Sequence, residues 1–421
     1  MNNDFKVIHL STDDKYGAGK AACRISEAQK QLGVDSVVLT LNSFSKCSQK
    51  IKESNFTRPV RRILKKLNWG IVRCAHPKSL FHYDLLGSSS DIIEYLSDAD
   101  IINLHWINDG IWSRNFVREL IKLDKPIVWT MHDMWSYTAG CHYDEFCGRY
   151  KSNCKKCPIL SSVLGSFVSD NAYKLKEKAY KNLNITLVGC SKWIANEASK
   201  SALCRDYSVH CITIHNPIDA ELYKFVERKI ARDYLGINTS KKIILFGAVY
   251  AMSDMRKGFQ YLYECIKGLD TTKYLLMVFG TDEVKHFSDF ESICMGKISD
   301  EKIMTMIYNA ADVFVAPSIQ ENFANTVLES LSCGTPVVAF DVGGMKDMII
   351  SDFNGKLVEP YDVLSMRDSI DVATSKGWNR KAIVDDIKAR FSKEIIGQQY
   401  CDLYNKILKK ENHYEDKEIN L

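Results

Sequence analysis

Short runs of β-branched and aromatic residues alternate with helical stretches along nearly the whole chain. This pattern is typical of parallel sheets covered by helices, because parallel strands need crossover connections. The alternation stops and restarts once, near Asn216–Asp219, where Pro217 disfavours helical geometry for the residue before it. The sequence therefore predicts two α/β domains, with strands at Phe5–Leu10, Ser36–Leu41, Ile101–His105, Pro126–Met131, Thr186–Val188, Cys211–Ile214, Lys242–Gly247, Tyr274–Gly280, Asp312–Ala316, Val337–Asp341 and Lys356–Val358.

The predicted domains cover residues 1–215 and 216–395, followed at 396–421 by a C-terminal helix and a loose tail. A chain of 421 residues suits this division at roughly 150 residues per domain. The first domain carries a cysteine-rich insertion at 138–160.

Charge and composition exclude several classes of protein. The net charge of +4 at pH 7 is too weak to indicate nucleic-acid binding, so no nucleic-acid partner is expected. The N-terminus lacks the apolar stretch of a signal peptide, and no apolar run approaches the roughly 18–20 residues of a membrane-spanning helix. Fourteen cysteines without an export signal favour thiols or metal ligands over a disulfide framework. We therefore expect a cytoplasmic protein.

Two glutamates eight residues apart, Glu321 and Glu329, mark a candidate site in the second domain. On one helix they would point about 80° apart at about 100° per residue. They can converge if Glu321 lies in a loop and Glu329 in a helix predicted from near Thr326 to Gly334. Ligands of open α/β sheets bind beyond the carboxyl ends of strands, and a first helical turn offers N–H groups for phosphate, here those of Asn325, Thr326 and Val327. The alternatives are a capping box between Thr326 and Glu329 and a solvated acid at Glu321.

Two further turns suit a phosphate ligand. Arg256 and Lys257 follow the first strand of the second domain, and their side chains are suited to phosphate oxygens. Gly17 and Gly19 follow the first strand of the first domain, where small residues let a ligand approach the main chain. A solvated basic turn is the alternative for the Arg256–Lys257 pair.

Histidines end two predicted strands of the first domain. His132 and Asp133 lie just past Met131, and His105 ends the preceding strand. A pair such as His132 and Asp133 at the carboxyl end of a parallel strand is a site candidate. A purely structural role is the alternative for a single histidine.

The run from Glu321 through Glu329 to Ser-Leu-Ser-Cys-Gly-Thr-Pro-Val-Val-Ala-Phe340 and Gly343-Gly344 resembles the donor site of the family-4 retaining glycosyltransferases. That resemblance implies the GT-B fold, an α/β architecture of two Rossmann-like domains with parallel sheets facing each other across a cleft. It makes the first domain the acceptor side and the second the nucleotide-sugar donor side.

The resemblance also implies residue roles. Glu321 would face the transferred sugar, Glu329 would hold the ribose hydroxyls, and Lys257 would grip the diphosphate beside Arg256. In the first domain His132 would contact the transferring sugar, and the loop with Gly17 and Gly19 would face the diphosphate and acceptor. No catalytic metal is expected.

The stretch from His132 through Cys141-His-Tyr143 resembles a subgroup that builds bacterial exopolysaccharides, including colanic-acid-type and capsule enzymes. It implies transfer, with retention, from a nucleoside diphosphate sugar to a hydroxyl of a saccharide acceptor, expected to be lipid-linked, in the synthesis of surface polysaccharide such as capsule or lipopolysaccharide. The alternatives are a nucleotide-sugar epimerase of the same fold and a carbohydrate- or nucleotide-binding protein without turnover.

Four cysteines of the insertion are spaced by five, six and two residues: Cys141, Cys147, Cys154 and Cys157. The last two form a Cys-Lys-Lys-Cys knuckle, which is half of a typical zinc site. A structural zinc ion is predicted, with reduced thiols in a loop as the alternative.

A basic amphipathic helix is predicted at residues 58–69. Apolar residues recur at helical spacing at Val60, Ile63, Leu64 and Leu67, with Trp69 at the end, and Arg61, Arg62, Lys65 and Lys66 surround them. Such a helix suits an anionic membrane, which would place the protein at the inner face of the plasma membrane. The alternative is a helix packed on its own domain with a solvated basic face.

Overall fold

The structure, a computed structural model, describes residues 3–248, 254–281 and 290–418, with side chains as far as residue 409. It divides into two compact units, Met1–Asn216 with Ile396–Leu421, and Pro217–Ile395. The C-terminal segment, set apart in the sequence prediction, thus belongs to the first unit. Its helix continues to Glu418, through most of the tail that was predicted to be loose.

The first unit is built on a sheet of seven parallel strands in the order β3-β2-β1-β4-β5-β6-β7. The strands are β1 Lys6–Asp13, β2 Asp35–Asn42, β3 Ser48–Lys50, β4 Ile101–Leu104, β5 Ile127–Met131, β6 Ile185–Gly189 and β7 His210–Thr213. The helices are α1 Gly17–Gln31, α2 Thr57–Cys74, α3 Ser90–Leu96, α4 Arg114–Leu123, α5 Val163–Asn182, α6 Lys192–Ser199 and α7 Ala202–Asp206.

The second unit is built on six parallel strands in the order β10-β9-β8-β11-β12-β13. They are β8 Lys242–Gly247, β9 Tyr274–Phe279, β10 Ser292–Cys294, β11 Val313–Ala316, β12 Val337–Phe340 and β13 Gly355–Val358. The helices are α8 Arg228–Tyr234, α9 Phe259–Ile266, α10 Glu301–Ala310, α11 Asn325–Ser332, α12 Met345–Met348, α13 Val363–Ser375, α14 Arg380–Phe391 and α15 Lys393–Glu418, the last crossing into the first unit.

These two parallel-sheet α/β domains confirm the predicted fold class. Strands β3 and β10 escaped prediction because each has only three residues, too few to show a period. The central strands are recognisable because they are buried on both faces; every residue of Ile127–Met131, for example, is buried. Among the described helices none is both long enough and apolar enough to cross a bilayer.

Both sheets reverse their strand order at one point. In the first unit β1 lies between β2 and β4, and in the second β8 lies between β9 and β11. Connections on the two sides of such a point run to opposite faces of the sheet and leave a crevice beyond the strand ends. Any ligand site is therefore expected after β1 and β4, and after β8 and β11.

One pair of cysteines departs from the prediction of thiols or metal ligands. Cys23 of α1 and Cys47 before β3 form a disulfide with a Cα–Cα distance of 5.8 Å, and the other twelve cysteines are free. The pairing joins residues 24 apart, which the sequence spacing alone did not indicate.

Helix α15 is attached to the first sheet by buried hydroxyl groups. The hydroxyl of Tyr404 accepts hydrogen bonds from Asn103 Nδ2 at 2.8 Å and from Gln29 Nε2 at 3.3 Å. The hydroxyl of Tyr400 lies 3.2 Å from Thr130 Oγ1. The Thr130 hydroxyl in turn donates to Asn103 Oδ1. Because these polar groups are buried, each depends on its partner for a hydrogen bond.

Tyr404→Phe should destabilise the first unit by about 1–3 kcal/mol, because two buried amide donors lose their acceptor. A fall of several degrees in the thermal unfolding midpoint is expected in calorimetry. Tyr234→Phe, which removes a hydroxyl from an exposed side chain, is the control and should leave the midpoint unchanged. Equal midpoints for Tyr404→Phe and the unmodified protein would show that the hydroxyl network contributes nothing.

Candidate functional site

An ion pair occupies the point where the second sheet reverses its strand order. Lys257 follows β8 and Glu321 follows β11, and Lys257 Nζ lies 2.5 Å from Glu321 Oε2. The Lys257 side chain is 25% exposed and that of Glu321 10% exposed, so the pair is largely shielded. The fold thus places a cation and a carboxylate together where an open α/β sheet binds ligands.

The two loops that carry this pair are held together by the main chain. Ile319 N donates to Arg256 O at 2.9 Å. Gly258 has φ +72°, and a Cβ atom on it would come within 1.8 Å of Pro317 O. Only glycine permits both this conformation and this close approach, so Gly258 fixes the distance between the loops.

Arg256 has an acidic partner close by. Its Nε and Nη2 donate to the two carboxylate oxygens of Asp254 at 3.1 and 2.7 Å, and Asp254 Oδ1 also accepts from the main-chain N–H of Arg256. A bidentate pair of this kind orients the guanidinium. Arg256 and Lys257 are therefore not a simple solvated basic turn, since each is paired with a carboxylate.

Glu329 lies inside α11, which begins at Asn325 with Ala324 as its N-cap. Thr326 is thus within the first turn, and the capping-box interpretation of Thr326 and Glu329 is wrong. Glu329 is 8% exposed, and Tyr308 of α10 donates its hydroxyl to Glu329 Oε2 at 3.1 Å. Burial raises the pKa of Tyr308 well above its ordinary value, so the hydroxyl keeps its proton.

The first turn of α11 only partly matches the predicted phosphate site. The Val327 N–H donates to Ala324 O at 3.0 Å, so Val327 is not an open donor as was predicted. Asn325 and Thr326 do lie at the helix start, where the positive end of the helix dipole favours an anion. Glu321 and Glu329 lie in the loop and the helix respectively, as their spacing required.

In the first unit Gly17 and Gly19 open α1 directly after β1. Gly17 is exposed, whereas Gly19 is buried, and a Cβ atom on Gly19 would lie 2.1 Å from Asp13 O. Gly19 is therefore required by its own loop. Burial opposes ionisation of Asp14, but hydrogen bonds from Ser45, Ser48 and the Phe44 N–H lower its pKa and hold the loop.

Three histidines form a continuous chain at the reversal point of the first sheet. His9 lies on β1, His105 follows β4 and His132 follows β5. His9 Nδ1 is 2.9 Å from His105 Nε2, and His105 Nδ1 is 3.0 Å from His132 Nε2. His9 Nε2 is 2.9 Å from Gln29 Oε1, which ends the chain inside the domain.

Gln29 sets the direction of this chain. Its Nε2 donates to the Tyr404 hydroxyl and its Oε1 accepts from Ser36, so Oε1 can only accept from His9. In neutral imidazoles each ring has one donor and one acceptor nitrogen. His105 Nε2 must therefore donate to His9, and His132 Nε2 to His105. This order leaves Nδ1 of His132 as the acceptor, able to bind a hydroxyl group.

Burial keeps all three rings neutral. Desolvation lowers the pKa of His9 to about 4 and that of His132 to about 4, and it lowers the pKa of His105 well below the ordinary value. A cavity of about 10 Å³, enough for about one water molecule, lies beside His105 and His132.

Asp133 does not pair with its neighbour His132. Asp133 Oδ1 accepts from Trp135 N at 2.8 Å, and Oδ2 lies 2.6 Å from His142 Nδ1. His142 Nε2 is in turn 2.7 Å from His82 Nδ1. The sequence predicted His132 and Asp133 as a joint site, but the carboxylate instead holds the Cys-rich insertion against the strand end.

The predicted amphipathic helix exists as α2, and two of the four residues of its apolar stripe are exposed, whereas Val60 and Leu64 are half-buried. Ile63 is 59% exposed and Leu67 51% exposed, and Trp69 is also exposed. Two of the predicted basic residues have acidic partners: buried Arg61 forms a bidentate pair with Glu53, and Lys65 Nζ lies 3.0 Å from Asp109 Oδ2. The remaining two, Arg62 and Lys66, are exposed.

A family model for glycosyl transferases group 1 matches residues 240–374, which include Lys257, Glu321 and Glu329. Residues 240–374 form a group 1 glycosyltransferase domain. The resemblance to this family that was predicted from the sequence is confirmed.

Similarity to known proteins extends over both domains. The chain is 23% identical over 352 residues to a putative colanic acid biosynthesis glycosyl transferase, WcaC, of Escherichia coli, covering 77% of this chain and 80% of the relative. A second relative is N,N'-diacetylbacillosaminyl-diphospho-undecaprenol alpha-1,3-N-acetylgalactosaminyltransferase of Campylobacter jejuni, 24% identical over 41% of this chain and 47% of that protein. The crystal structure of Anabaena HepE with UDP and glucose has the same fold, with a TM-score of 0.64 and 13% identity over 95% of this chain and 99% of that one.

Several residues of these sites were not predicted from the sequence. Tyr308, Gln29 and His9 lie within helices or strands and carry no local motif. Asp254, by contrast, does lie in a local motif, because an acid two residues before an arginine is a recognisable capping turn. The others become visible only when the sheets bring their elements together.

The neutral histidine chain predicts a pH dependence of stability for the first domain. Unfolded histidine binds a proton near about pH 6.5, whereas His9 and His132 resist protonation to about pH 4. The unfolded state therefore binds more protons between these values, so stability should fall as pH is lowered through this window.

Nitrogen NMR of ¹⁵N-histidine-labelled protein at about pH 5.5, between these limits, should show His9, His105 and His132 neutral with the proton on Nε2. The urea-unfolded chain is the control and should show charged rings. Gln29→Leu should remove the fixed direction and give mixed tautomers. A charged His132, or one protonated only on Nδ1, would contradict the assignment.

Proposed function

We propose that this glycosyltransferase moves a sugar from a nucleoside diphosphate sugar to a hydroxyl of a saccharide acceptor, with retention of anomeric configuration, in the synthesis of bacterial surface polysaccharide. The observation that carries the proposal is the Lys257–Glu321 ion pair at the reversal point of the domain that matches the family. The bond from the anomeric carbon to the diphosphate breaks, the bond to the acceptor oxygen forms, and the acceptor proton passes to the departing phosphate.

Lys257 is the proposed diphosphate ligand. Its ammonium is already oriented by Glu321, so little side-chain entropy is lost when a phosphate oxygen joins or displaces the carboxylate. Negative charge grows on the diphosphate as the sugar leaves, and a cation fixed in a shielded site stabilises that charge more than water does. Arg256, oriented by Asp254, adds a second cation beside it.

Glu321 and Glu329 have separate proposed roles. The Glu321 carboxylate lies next to Lys257 and is suited to the positive charge that develops at the anomeric carbon. Glu329 is held by Tyr308, and a buried carboxylate is an acceptor for the two ribose hydroxyls. Nδ1 of His132 would also accept a hydrogen bond from a hydroxyl of the transferred sugar. No metal is required for these contacts.

The names of two similar proteins support a nucleotide-sugar donor and a role in polysaccharide synthesis. One is named for colanic acid synthesis, and HepE has been seen with UDP and glucose. UDP is therefore a reasonable first probe for nucleotide binding.

Lys257→Met should lower kcat/KM for the donor by roughly 10²–10³-fold, the effect of removing one preorganised charge contact, and should weaken UDP binding in calorimetry. Glu321→Gln should keep or improve UDP binding, because a negative charge near the diphosphate is removed. Its transfer activity should nevertheless fall at least as far as that of Lys257→Met. Lys267→Met, which changes an exposed lysine directly after α9, is the control for both measurements.

The alternatives give different results in the same assay. An epimerase would convert the donor without any acceptor, and a binding protein would neither transfer nor hydrolyse it. Full transfer activity in Glu321→Gln would overturn the assignment of that residue. NMR of the product would show whether the anomeric configuration is retained.

We also propose that the acceptor is lipid-linked and that α2 contacts the membrane. The helix keeps the Arg61–Glu53 pair on its inner side and exposes Ile63 and Leu67, whereas Val60 and Leu64 are half-buried. Exposed Arg62 and Lys66 beside this stripe suit anionic lipid. The relative from Campylobacter jejuni is named for a diphospho-undecaprenol acceptor.

Co-sedimentation with anionic phosphatidylglycerol vesicles should be lost in the double variant Ile63→Asp/Leu67→Asp and weakened in Arg62→Glu/Lys66→Glu. Each basic residue near the surface contributes about 1 kcal/mol, so the charge reversal should reduce binding at least tenfold. Lys174→Glu/Lys178→Glu on α5 has the same spacing on another exposed helix face and is the control. Equal recovery on neutral and anionic vesicles would argue against the membrane role.

A further inference from the structure

The Cys-rich insertion has almost no regular structure, yet it is tightly placed. Between residues 138 and 160 the only helical element is a 3-10 turn at Arg149–Lys151. Single β-bridges join Cys141 to Phe81 and Leu160 to Pro77, which fixes both ends of the insertion to the segment after α2. Within it the four cysteines Cys141, Cys147, Cys154 and Cys157 form what we call the cysteine cluster.

The cysteine cluster lines one small cavity. All four residues contact a space of about 10 Å³, enough for about one water-sized sphere. Cys141, Cys154 and Cys157 are buried and Cys147 is half-buried. None of the four is in a disulfide. A cavity of this size surrounded by four thiols fits a single metal ion and little else.

The main chain around the cysteine cluster is bent in an unusual way. Lys156, between the last two cysteines, has φ +51°, and Glu145 and Phe146, just before Cys147, have φ +47° and +59°. Residues with side chains rarely adopt this left-handed region, and each such position costs roughly 1–2 kcal/mol. Such outliers persist where surrounding interactions hold them. Here the Asp144 carboxylate accepts from the N–H groups of Phe146 and Gly148 at 3.3 and 2.9 Å.

A buried lysine lies beside the cysteine cluster. Lys176 of α5 is 1% exposed, and its ammonium donates to Thr138 O at 2.8 Å and to Trp135 O. Cys141 and Cys154 lie close enough to interact with it electrostatically. The ammonium also lies 3.7 Å from the centre of the Trp135 ring, and the carboxylates of Asp133 and Asp84 act on it electrostatically.

A second cation lies on the other side of the cavity. Arg149 lines it and donates from Nη1 to the carbonyl oxygens of Lys155 and Lys156, inside the Cys154–Cys157 knuckle. Zn²⁺ held by four thiolates carries a net charge of −2. The positive charges of Lys176 and Arg149 would together offset that charge.

We propose that Cys141, Cys147, Cys154 and Cys157 bind one structural zinc ion through their four sulfur atoms. The spacing, the shared cavity and the two flanking cations all agree with a tetrathiolate site. No three of the four sulfurs yet lie within 4.8 Å of one another, so the side chains must turn inward to reach Zn–S distances of about 2.3 Å. Each thiol loses its proton to solvent on binding.

The proposed ion would also support the strand end that carries His132. His142 follows Cys141 directly and holds Asp133 through Nδ1, and Met134 N donates to His142 O at 3.0 Å. A metal that fixes Cys141 therefore fixes these contacts. The role is structural, and it holds whether or not the protein transfers sugar.

Metal content of the purified full-length protein tests the proposal without any substrate. Elemental analysis should find one zinc per chain, and titration of the thiols with a mercurial should release it into a chromogenic chelator. Cys154→Ser and Cys157→Ser should lose the zinc and lower the thermal midpoint of the first domain. Cys74→Ser, an exposed free thiol of the same domain, is the control and should keep both.

Cobalt exchange keeps the proposal testable if the serine variants fail to fold. The unmodified protein loaded with Co²⁺ should show the intense thiolate-to-cobalt and visible bands of a tetrahedral site. Protein purified with zinc present that contains none and gives no cobalt bands would overturn the proposal. So would folded Cys154→Ser that retains a full equivalent of zinc, or mass spectrometry that finds the four cysteines joined as disulfides.

Discussion

The reversal of strand order in each parallel sheet is the constraint on which both candidate sites depend. It brings the carboxyl ends of β1 and β4 side by side in one unit and those of β8 and β11 in the other. The connections that follow these two strands run to opposite faces of the sheet, which leaves a crevice between their loops. The histidine chain forms at the first such point and the Lys257–Glu321 pair at the second. Neither could form between strands that are not neighbours.

Polar groups at the two points are stabilised in different ways. The charges of Lys257 and Glu321 compensate each other in a shielded loop, which keeps both ready for a charged ligand. The histidines instead remain neutral because burial disfavours their protonation, and Gln29 and Tyr404 supply the hydrogen bonds that give their chain a direction. The C-terminal helix thereby contributes to a site on the opposite end of the sequence.

The Cys-rich insertion also depends on contacts between side chains, although it has little regular secondary structure. It has few main-chain hydrogen bonds of its own and relies on side chains, namely the Asp133–His142 pair, the buried Lys176 and the four thiols. Segments of this kind are commonly held by a metal or a cross-link because they cannot bury enough apolar surface to be stable alone.

The positions of most strands and the type of fold could be predicted from the amino-acid sequence. Alternating apolar runs predicted eleven strands at close to their observed positions, and the spacing of Glu321 and Glu329 placed one in a loop and one in a helix. These features depend on neighbours within a few residues, which a periodic pattern records. The family match at residues 240–374 confirmed the resemblance that this segment carried.

The tertiary structure alone decided which groups are partners. Lys257 pairs with Glu321 across 64 residues, His9 with His105 across 96, and Asn103 with Tyr404 across 301. It also buried Arg61 of α2 against Glu53 and left Ile63 and Leu67 exposed, whereas the helical period alone predicts only that the apolar residues share one face. The reason is physical: side-chain periodicity fixes which residues share a face, whereas the order of strands in the sheet fixes what that face meets.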